Sequence, residues 1–290
     1  MRLLASIRKD RAVTSNDKRR VVVTGATGYI AQQLMPVLRK QYELCLMDVK
    51  AEDRAGNPVE GVQIVDLLSA DAATLQRLFD GADTVVHCGY HRATGDDPQV
   101  QYDGEKLNVD MMQRVYQLAL DGAVRRVVAA STNQAAKWYE QPYYQGLLDC
   151  VEPEDYPRAD TFYGWAKASY EALGFLYACG TLGRKLEVVH IRIVVPREVD
   201  AANFENRSRA EYVRDLAGYI SERDLQQLFT RSIEAERIED EHGIPFQIFY
   251  GVSNNARTFW SITNARKVIG YTPEDDSEVR FAEGIDRLLR

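Results

Sequence analysis

Val21-Val22-Val23-Thr24-Gly25-Ala26-Thr27-Gly28-Tyr29-Ile30-Ala31 decides how this chain is read, because a short β-branched run passes through two glycines into a segment of helical period. Gly25 permits the sharp turn, and Gly28 lets backbone approach a pyrophosphate. Ala31 takes the third small position, where anything larger than a methyl would push helix from strand. The start of the helix offers free N–H groups and a positive dipole end, so Thr27, Gly28, Tyr29 and Ile30 form the expected anion cradle. A glycine pattern alone says little, but here it sits in the strand-turn-helix context that dinucleotide binding needs.

Outward from this turn, apolar β-branched runs recur at 43–47, 62–65, 84–88, 126–131, 186–195 and 246–250, with 20–24 the first. Segments with apolar residues three and four apart fall at 29–40, 72–79, 104–120 and 163–177. This alternation predicts an α/β protein with a doubly wound parallel sheet. Ser221 followed by Asp224 has the spacing of a capping box at the head of a helix over 221–236, and Gly270 is read as the left-handed cap of a short helix from about 261. The polar, aperiodic stretches 92–100 and 200–208 are expected to be irregular. The expected organisation is a basic, disordered tail at 1–18, a nucleotide-binding domain at 19–195, and a small substrate lobe at 196–290 interleaved with the last strand. Three elements are expected in that lobe: the helix over 221–236, the strand and the short helix.

The composition narrows the function. With 45% hydrophobic and 27% charged residues the 290-residue chain is of ordinary globular type, and a net charge of -7 argues against nucleic-acid or anionic-membrane partners. Cys45, Cys88, Cys150 and Cys179 lie far apart with no C-x-x-C pair and no metal-ligand spacing, so reduced thiols, a cytoplasmic location and no metal are expected. No apolar run approaches the ~20 residues of a spanning helix.

Asp48 ends the second strand about twenty residues after the glycines, where its carboxylate accepts the adenosine ribose hydroxyls and repels a 2′-phosphate. NAD is therefore expected over NADP, although Lys50 and Arg54 stand nearby. Asp66-Leu67 ends the third strand, where the carboxylate either meets the adenine amino group or caps the next helix. Tyr163 and Lys167 are four apart and share one helix face, so the ammonium is expected to draw the phenol pKa down towards that of a usable general base. Thr132 lies at the carboxyl end of the fifth strand, the edge where open α/β sheets bind ligands, and Asn108 on the preceding helix carries an amide suited to ordering a relay water.

Together the T-G-x-x-G-x-x-A turn, Asp48, Val85-Val86-His87-Cys88-Gly89, Asn108, Thr132 and Tyr163/Lys167 resemble the extended short-chain dehydrogenase/reductases, the NAD-dependent epimerase/dehydratase group with a Rossmann fold. The resemblance runs from about 19 to 290 and includes the closing Ala265-Arg266-Lys267-Val268-Ile269-Gly270-Tyr271-Thr272-Pro273. Within the group, Ala130-Ser131-Thr132-Asn133, Phe162-Tyr163-Gly164, Tyr219-Ile220-Ser221-Glu222-Arg223-Asp224 and Tyr250-Gly251-Val252-Ser253 look most like uronate dehydrogenase and relatives that oxidise aldoses at C1.

The resemblance implies that Cys88, Gly89 and Tyr90 border NAD, Thr132 orients a sugar hydroxyl, Tyr163 removes its proton, and Lys167 holds the nicotinamide ribose. It also implies a homodimer or higher homo-oligomer through the helices over 104–120 and 162–177, with Met111, Tyr116 and Phe175 as outward apolar residues. Two departures stand out: Gln134 occupies a position commonly held by His, and Val194-Val195 replaces an expected Ser. Two other functions share these residues, a nucleotide-sugar epimerase or dehydratase and a non-catalytic NAD sensor or scaffold. Asn133-Gln134 in place of an Asp-Glu pair after the threonine speaks against 4,6-dehydration, and retention of both Tyr163 and Lys167 speaks against the sensor. Arg92, Arg197 and Arg207 follow carboxyl ends of strands and are expected to converge on a sugar carboxylate or phosphate, while Asn133 and Gln134 serve sugar hydroxyls.

Overall fold

The β-branched runs become strands β1 (Arg20–Thr24), β2 (Glu43–Asp48), β3 (Val62–Ile64), β4 (Thr84–His87), β5 (Arg126–Thr132), β6 (Glu187–Ile193) and β7 (Phe246–Gly251). They pair in parallel in the order β3-β2-β1-β4-β5-β6-β7, with the chain crossing over after β3 so that β4 returns beside β1. The computed structural model describes residues 18–289, so all of the expected tail but Lys18 lies outside the described residues. The helices are α1 (Tyr29–Gln41), α2 (Ala72–Phe79), α3 (Pro98–Asp121), α4 (Glu140–Tyr144), α5 (Phe162–Ala178), α6 (Arg209–Gly218), α7 (Glu222–Glu234), α8 (Thr263–Ile269), α9 (Ser277–Arg280) and α10 (Ala282–Leu289).

Alternate residues of the central strands feed two buried clusters. Val21, Val23, Val86, Val128 and Val189 pack with Leu34 and Leu38 of α1 and Leu225, Leu228 and Phe229 of α7. Val22, Val85, Val127 and Val188 pack with Leu75 and Phe79 of α2, Met112 and Val115 of α3, and Tyr170 and Tyr177 of α5. Burial on both faces is why these strands are almost purely apolar.

Several expectations are corrected. The third helix begins at Pro98, six residues before the expected start at Gly104, because Asp97 caps it through the N–H groups of Gln99 and Val100 and Pro98 fits its first turn. Within 200–208, residues Ala201–Phe204 form a 3-10 turn. Residues 196–289 hold more than the three expected elements, since α6, α9 and α10 also form there. Ser208 and Glu211 make the capping box of α6. Ser221 does cap α7, but the Asp224 side chain turns away to accept from Ser253 and from the Glu274 and Asp275 N–H groups. Gly270, at φ 65°, ends α8 as expected. Met111 and Tyr116 are core residues, and of the three expected outward residues only Phe175, 45% exposed, faces solvent.

A buried ion pair ties α5 to the sheet. Glu171 accepts from Arg192 Nε at 2.9 Å and Nη2 at 2.7 Å and from Ser131 Oγ at 3.0 Å, while Arg192 Nη1 donates to the Tyr250 phenol at 3.0 Å. Ser131, Arg192 and Tyr250 are register partners on β5, β6 and β7, so the carboxylate engages two neighbouring strands directly and a third through Arg192. Arg192→Met strands that carboxylate in the interior and is expected to cost about 3–5 kcal/mol, read as a lowered urea midpoint. A midpoint within error of wild type would refute the structural weight given to the pair.

His87 and His190 flank Ala129 in one row of the sheet, fully buried, and burial foremost, aided by the Lys167 charge, holds both imidazoles down to about 3. The unfolded chain binds protons at these sites below about 6.5 while the folded chain does not, so stability present above pH 6.5 is lost as pH falls towards 3. Urea midpoints measured across that window should fall with pH, and His190→Gln should lessen the fall in its upper part, where carboxylates do not yet titrate.

Candidate active site

The carboxyl ends of β1, β2, β4, β5 and β6 open onto a cleft of about 950 Å³. At its floor Gly25 holds φ +68°, and a Cβ there would stand 2.5 Å from the Gly89 nitrogen. Only glycine allows the two loops to approach this closely. Gly28 N–H returns to Gly25 O at 2.9 Å, and α1 starts without a side-chain cap, which leaves its first N–H groups facing the cleft. The Tyr29 side chain is committed elsewhere: its phenol donates to Pro196 O at 2.7 Å, and Arg54 lies 5.1 Å above its ring.

Asp48 lines the same cleft. Its Oδ2 accepts from Thr27 N–H at 2.9 Å and Thr27 Oγ1 at 2.8 Å, and its Oδ1 from Val49 N–H at 2.7 Å. Three donors orient the carboxylate while lone pairs remain for a diol. Asp66 and Leu67 border the adjoining wall with Ile30, Cys88 and Tyr90. The Asp66 carboxylate, held below its usual range by the Ser69 hydroxyl and the Leu68 N–H, closes its own turn, and the cap of α2 is Asp71. The alternative of Asp66 as helix cap is thereby corrected.

Thr132 and Tyr163 meet at the other end. Thr161 caps α5 by accepting from Gly164 N–H at 3.0 Å, and a Cβ on Gly164 would lie 2.3 Å from Gln134 O, so the start of α5 rests directly on the backbone after β5. Thr132 caps the 3-10 turn Asn133–Tyr139 and hydrogen-bonds the Tyr163 phenol. Lys167, 4% exposed, donates to Ala130 O at 2.9 Å; its Nζ lies 6.0 Å from the Tyr163 ring centre and 4.5 Å from that of Tyr170.

The expected fall in the Tyr163 pKa is corrected. Burial, with the Glu105 charge acting the same way, outweighs the Thr132 hydrogen bond and pushes the phenol above its ordinary value. Lys167, spent on Ala130, is itself brought down to about 8, chiefly by burial. Asn108 also departs from its expected use: its Oδ1 accepts from His91 N–H at 2.7 Å and its Nδ2 donates to His91 O at 2.8 Å, so the amide fastens the loop after β4.

The arginines divide instead of converging. Arg92 lines the main cleft, whereas Arg197 and Arg207 line a neighbouring recess of about 540 Å³ with Asn133 and Gln134. There Arg197 pairs with Asp215 at 2.6 Å and Arg207 with Glu211 at 2.9 Å. Arg214, which sequence reasoning missed, is gripped by both oxygens of Glu140 and by Asp215, and Asn133 donates to the same Glu140. It sits on α6, a helix the sequence reading left unassigned, and its only advance signal was the Ser208/Glu211 box one turn before it.

This constellation is that of a nucleotide-dependent enzyme on a doubly wound sheet, and comparison with known proteins agrees. Residues 21–179 match the NAD dependent epimerase/dehydratase family, and the chain belongs to that family. It is 29% identical over 277 residues to an NAD-dependent glucose-6-phosphate dehydrogenase of Haloferax volcanii, covering 91% of this chain and 96% of the relative. It is 30% identical over 274 residues to an L-arabinose 1-dehydrogenase (NAD(P)(+)) of the same organism, covering 89% of this chain and 97% of the relative. A solved mutated uronate dehydrogenase shares the fold at TM-score 0.69 and 24% identity, over 93% of this chain and 86% of that one.

The glycine cradle and the oriented Asp48 fit NAD. Gly25→Ala should abolish NAD binding by calorimetry, since the methyl has no room against Gly89. Wild type should show higher kcat/KM with NAD than with NADP, and Asp48→Ala should shrink the ratio. A preference for NADP would contradict the role given to Asp48.

Proposed function

We propose that the protein is an NAD-dependent dehydrogenase of a sugar or sugar derivative, an aldose, uronate or sugar phosphate, acting in the cytoplasm. The observation that carries this is the meeting of Thr132, Tyr163 and Lys167 in one cleft with the Gly25/Gly28 turn and Asp48. The two curated relatives named above, one acting on a phosphorylated aldose and one on a neutral aldose, support the substrate class.

In this reading Gly25, Thr27, Gly28 and Ile30 hold the pyrophosphate with backbone, Asp48 holds the adenosine ribose, and Asp66, Leu67, Cys88, Gly89 and Tyr90 line the remaining wall. NAD, when bound, supplies the hydride acceptor and a positive ring charge that favours a nearby phenolate. Thr132 Oγ1 orients the substrate hydroxyl, and Tyr163 accepts its proton at the phenol oxygen. Lys167 stabilises the phenolate by charge and holds the nicotinamide ribose. The recess lined by Asn133, Gln134, Arg197, Arg207 and Arg214 offers paired donors and acceptors to sugar hydroxyls, with Arg92 in the main cleft.

Incubation with NAD and a panel of L-arabinose, glucose 6-phosphate and glucuronate should give sugar-dependent NADH absorbance with at least one. Silence across neutral, phosphorylated and carboxylated sugars would remove the reading. Tyr163→Phe should lower kcat by about a hundredfold or more while NAD affinity holds, and Lys167→Ala should reduce both. The exposed faces of α3 and α5 carry Leu107, Phe162, Trp165, Phe175 and Leu176, which supports a homodimer through these helices. A monomeric mass by light scattering at micromolar concentration would exclude it.

A further inference from the structure

Beside Tyr163 lies a buried polar group that the proposed reaction does not use. Glu105 of α3 is 4% exposed, and its carboxylate accepts from the Tyr90 phenol at 2.6 Å and the Asn108 amide at 3.1 Å. No salt bridge reaches it among the described residues; its side-chain hydrogen-bond partners are one phenol and one amide, and the Lys167 charge acts on it from farther off. Burying a carboxylate without a cation is costly, and an apolar residue would fill the same space without that cost. The contacts of Tyr90 point to what the charge is for. Its ring stands edge-on to Tyr163, with centroids 5.4 Å apart and planes at 83°, and Lys167 Nζ lies 5.9 Å from its centre. Tyr90 is therefore a wall of the cleft, pinned at its far end by Glu105.

We propose that Glu105 is a positioning residue for the base: by pinning the Tyr90 phenol it fixes the ring that stands edge-on to Tyr163, and it sets a buried carboxylate behind that wall of the cleft. The inference rests on Tyr163 being the base. The groups facing Tyr163 come from every element around it: Tyr90 from the loop after β4, Glu105 from α3, the Thr132 hydroxyl from β5, and Lys167 and Tyr170 from α5. Burial and Glu105 raise the phenol, and the Thr132 hydrogen bond lowers it.

Glu105→Gln keeps an acceptor for Tyr90 and removes the charge. The ascending, acid-side limb of kcat/KM, where the base loses its proton, should move to lower pH by about 0.5 to 1 unit, the size of shift a neighbouring interior charge produces. The ultraviolet tyrosinate signal of Tyr163, taken as the difference from a Tyr163→Phe background, should shift the same way without substrate or cofactor. Tyr90→Phe keeps the ring and deletes its anchor, so kcat should fall about tenfold from a misplaced base, with KM nearly constant. Coincidence of the Glu105→Gln pH limb and tyrosinate midpoint with wild type overturns the proposal. Should Glu105→Gln not fold, an unchanged kcat in Tyr90→Phe overturns it instead. A protein that proves inactive with every sugar still yields the tyrosinate titration, so failure of the reaction and failure of this assignment are read separately.

Discussion

The Glu171 carboxylate and the Arg192 guanidinium meet where neither has water to fall back on, and the placement of Thr132, Tyr163 and Lys167 follows from that pairing. Glu171 lies one turn after Lys167 and two after Tyr163, so anchoring it aims that whole face of α5 at the sheet. Its third donor, Ser131, immediately precedes Thr132. The same contact thus sets the helix that carries Tyr163 and the strand end that carries Thr132. An apolar pair of similar volume would pack as well, but it would not specify one register between α5, β5, β6 and β7.

Around this anchor the fold reaches its close approaches by leaving out side chains. Gly25 lets the phosphate turn touch the loop after β4, Gly164 lets α5 sit on the backbone of Gln134, and Gly174 faces the Tyr116 hydroxyl where a Cβ would stand 2.5 Å away. The resulting closeness excludes solvent, and exclusion of solvent governs the electrostatics. Lys167 is brought down and Tyr163 pushed up, and burial is the largest cause of both shifts.

The neighbouring recess works differently. Its arginines are charged but not free, since Asp215, Glu211 and Glu140 face them at 2.6–2.9 Å. Such a surface is rich in directed donors and acceptors yet nearly neutral, which favours recognition of a patterned set of hydroxyls over capture of any anion. The chain from Asn133 through Glu140 and Arg214 to Asp215 also couples the 3-10 turn beside Thr132 to α6.

The sheet, its parallel character and the phosphate turn were legible in the amino-acid sequence because each depends on local pattern: apolar β-branched runs, helical spacing, and glycines between them. The places of Asp48 and Thr132 were legible because each ends a strand, and the shared helix face of Tyr163 and Lys167 because they stand four residues apart. Asp97-Pro98 was an equally local signal for the start of α3, masked by the polar stretch before it. What pairs with what was decided only by the tertiary structure. Asn108 spends its amide on His91, Arg197 and Arg207 meet Asp215 and Glu211, and Glu105 finds Tyr90, because helices and loops distant in sequence fold onto one sheet edge. The rise in the Tyr163 pKa belongs to that second category. Spacing along a helix reports which charges are near, but how much water remains around them depends on the whole fold.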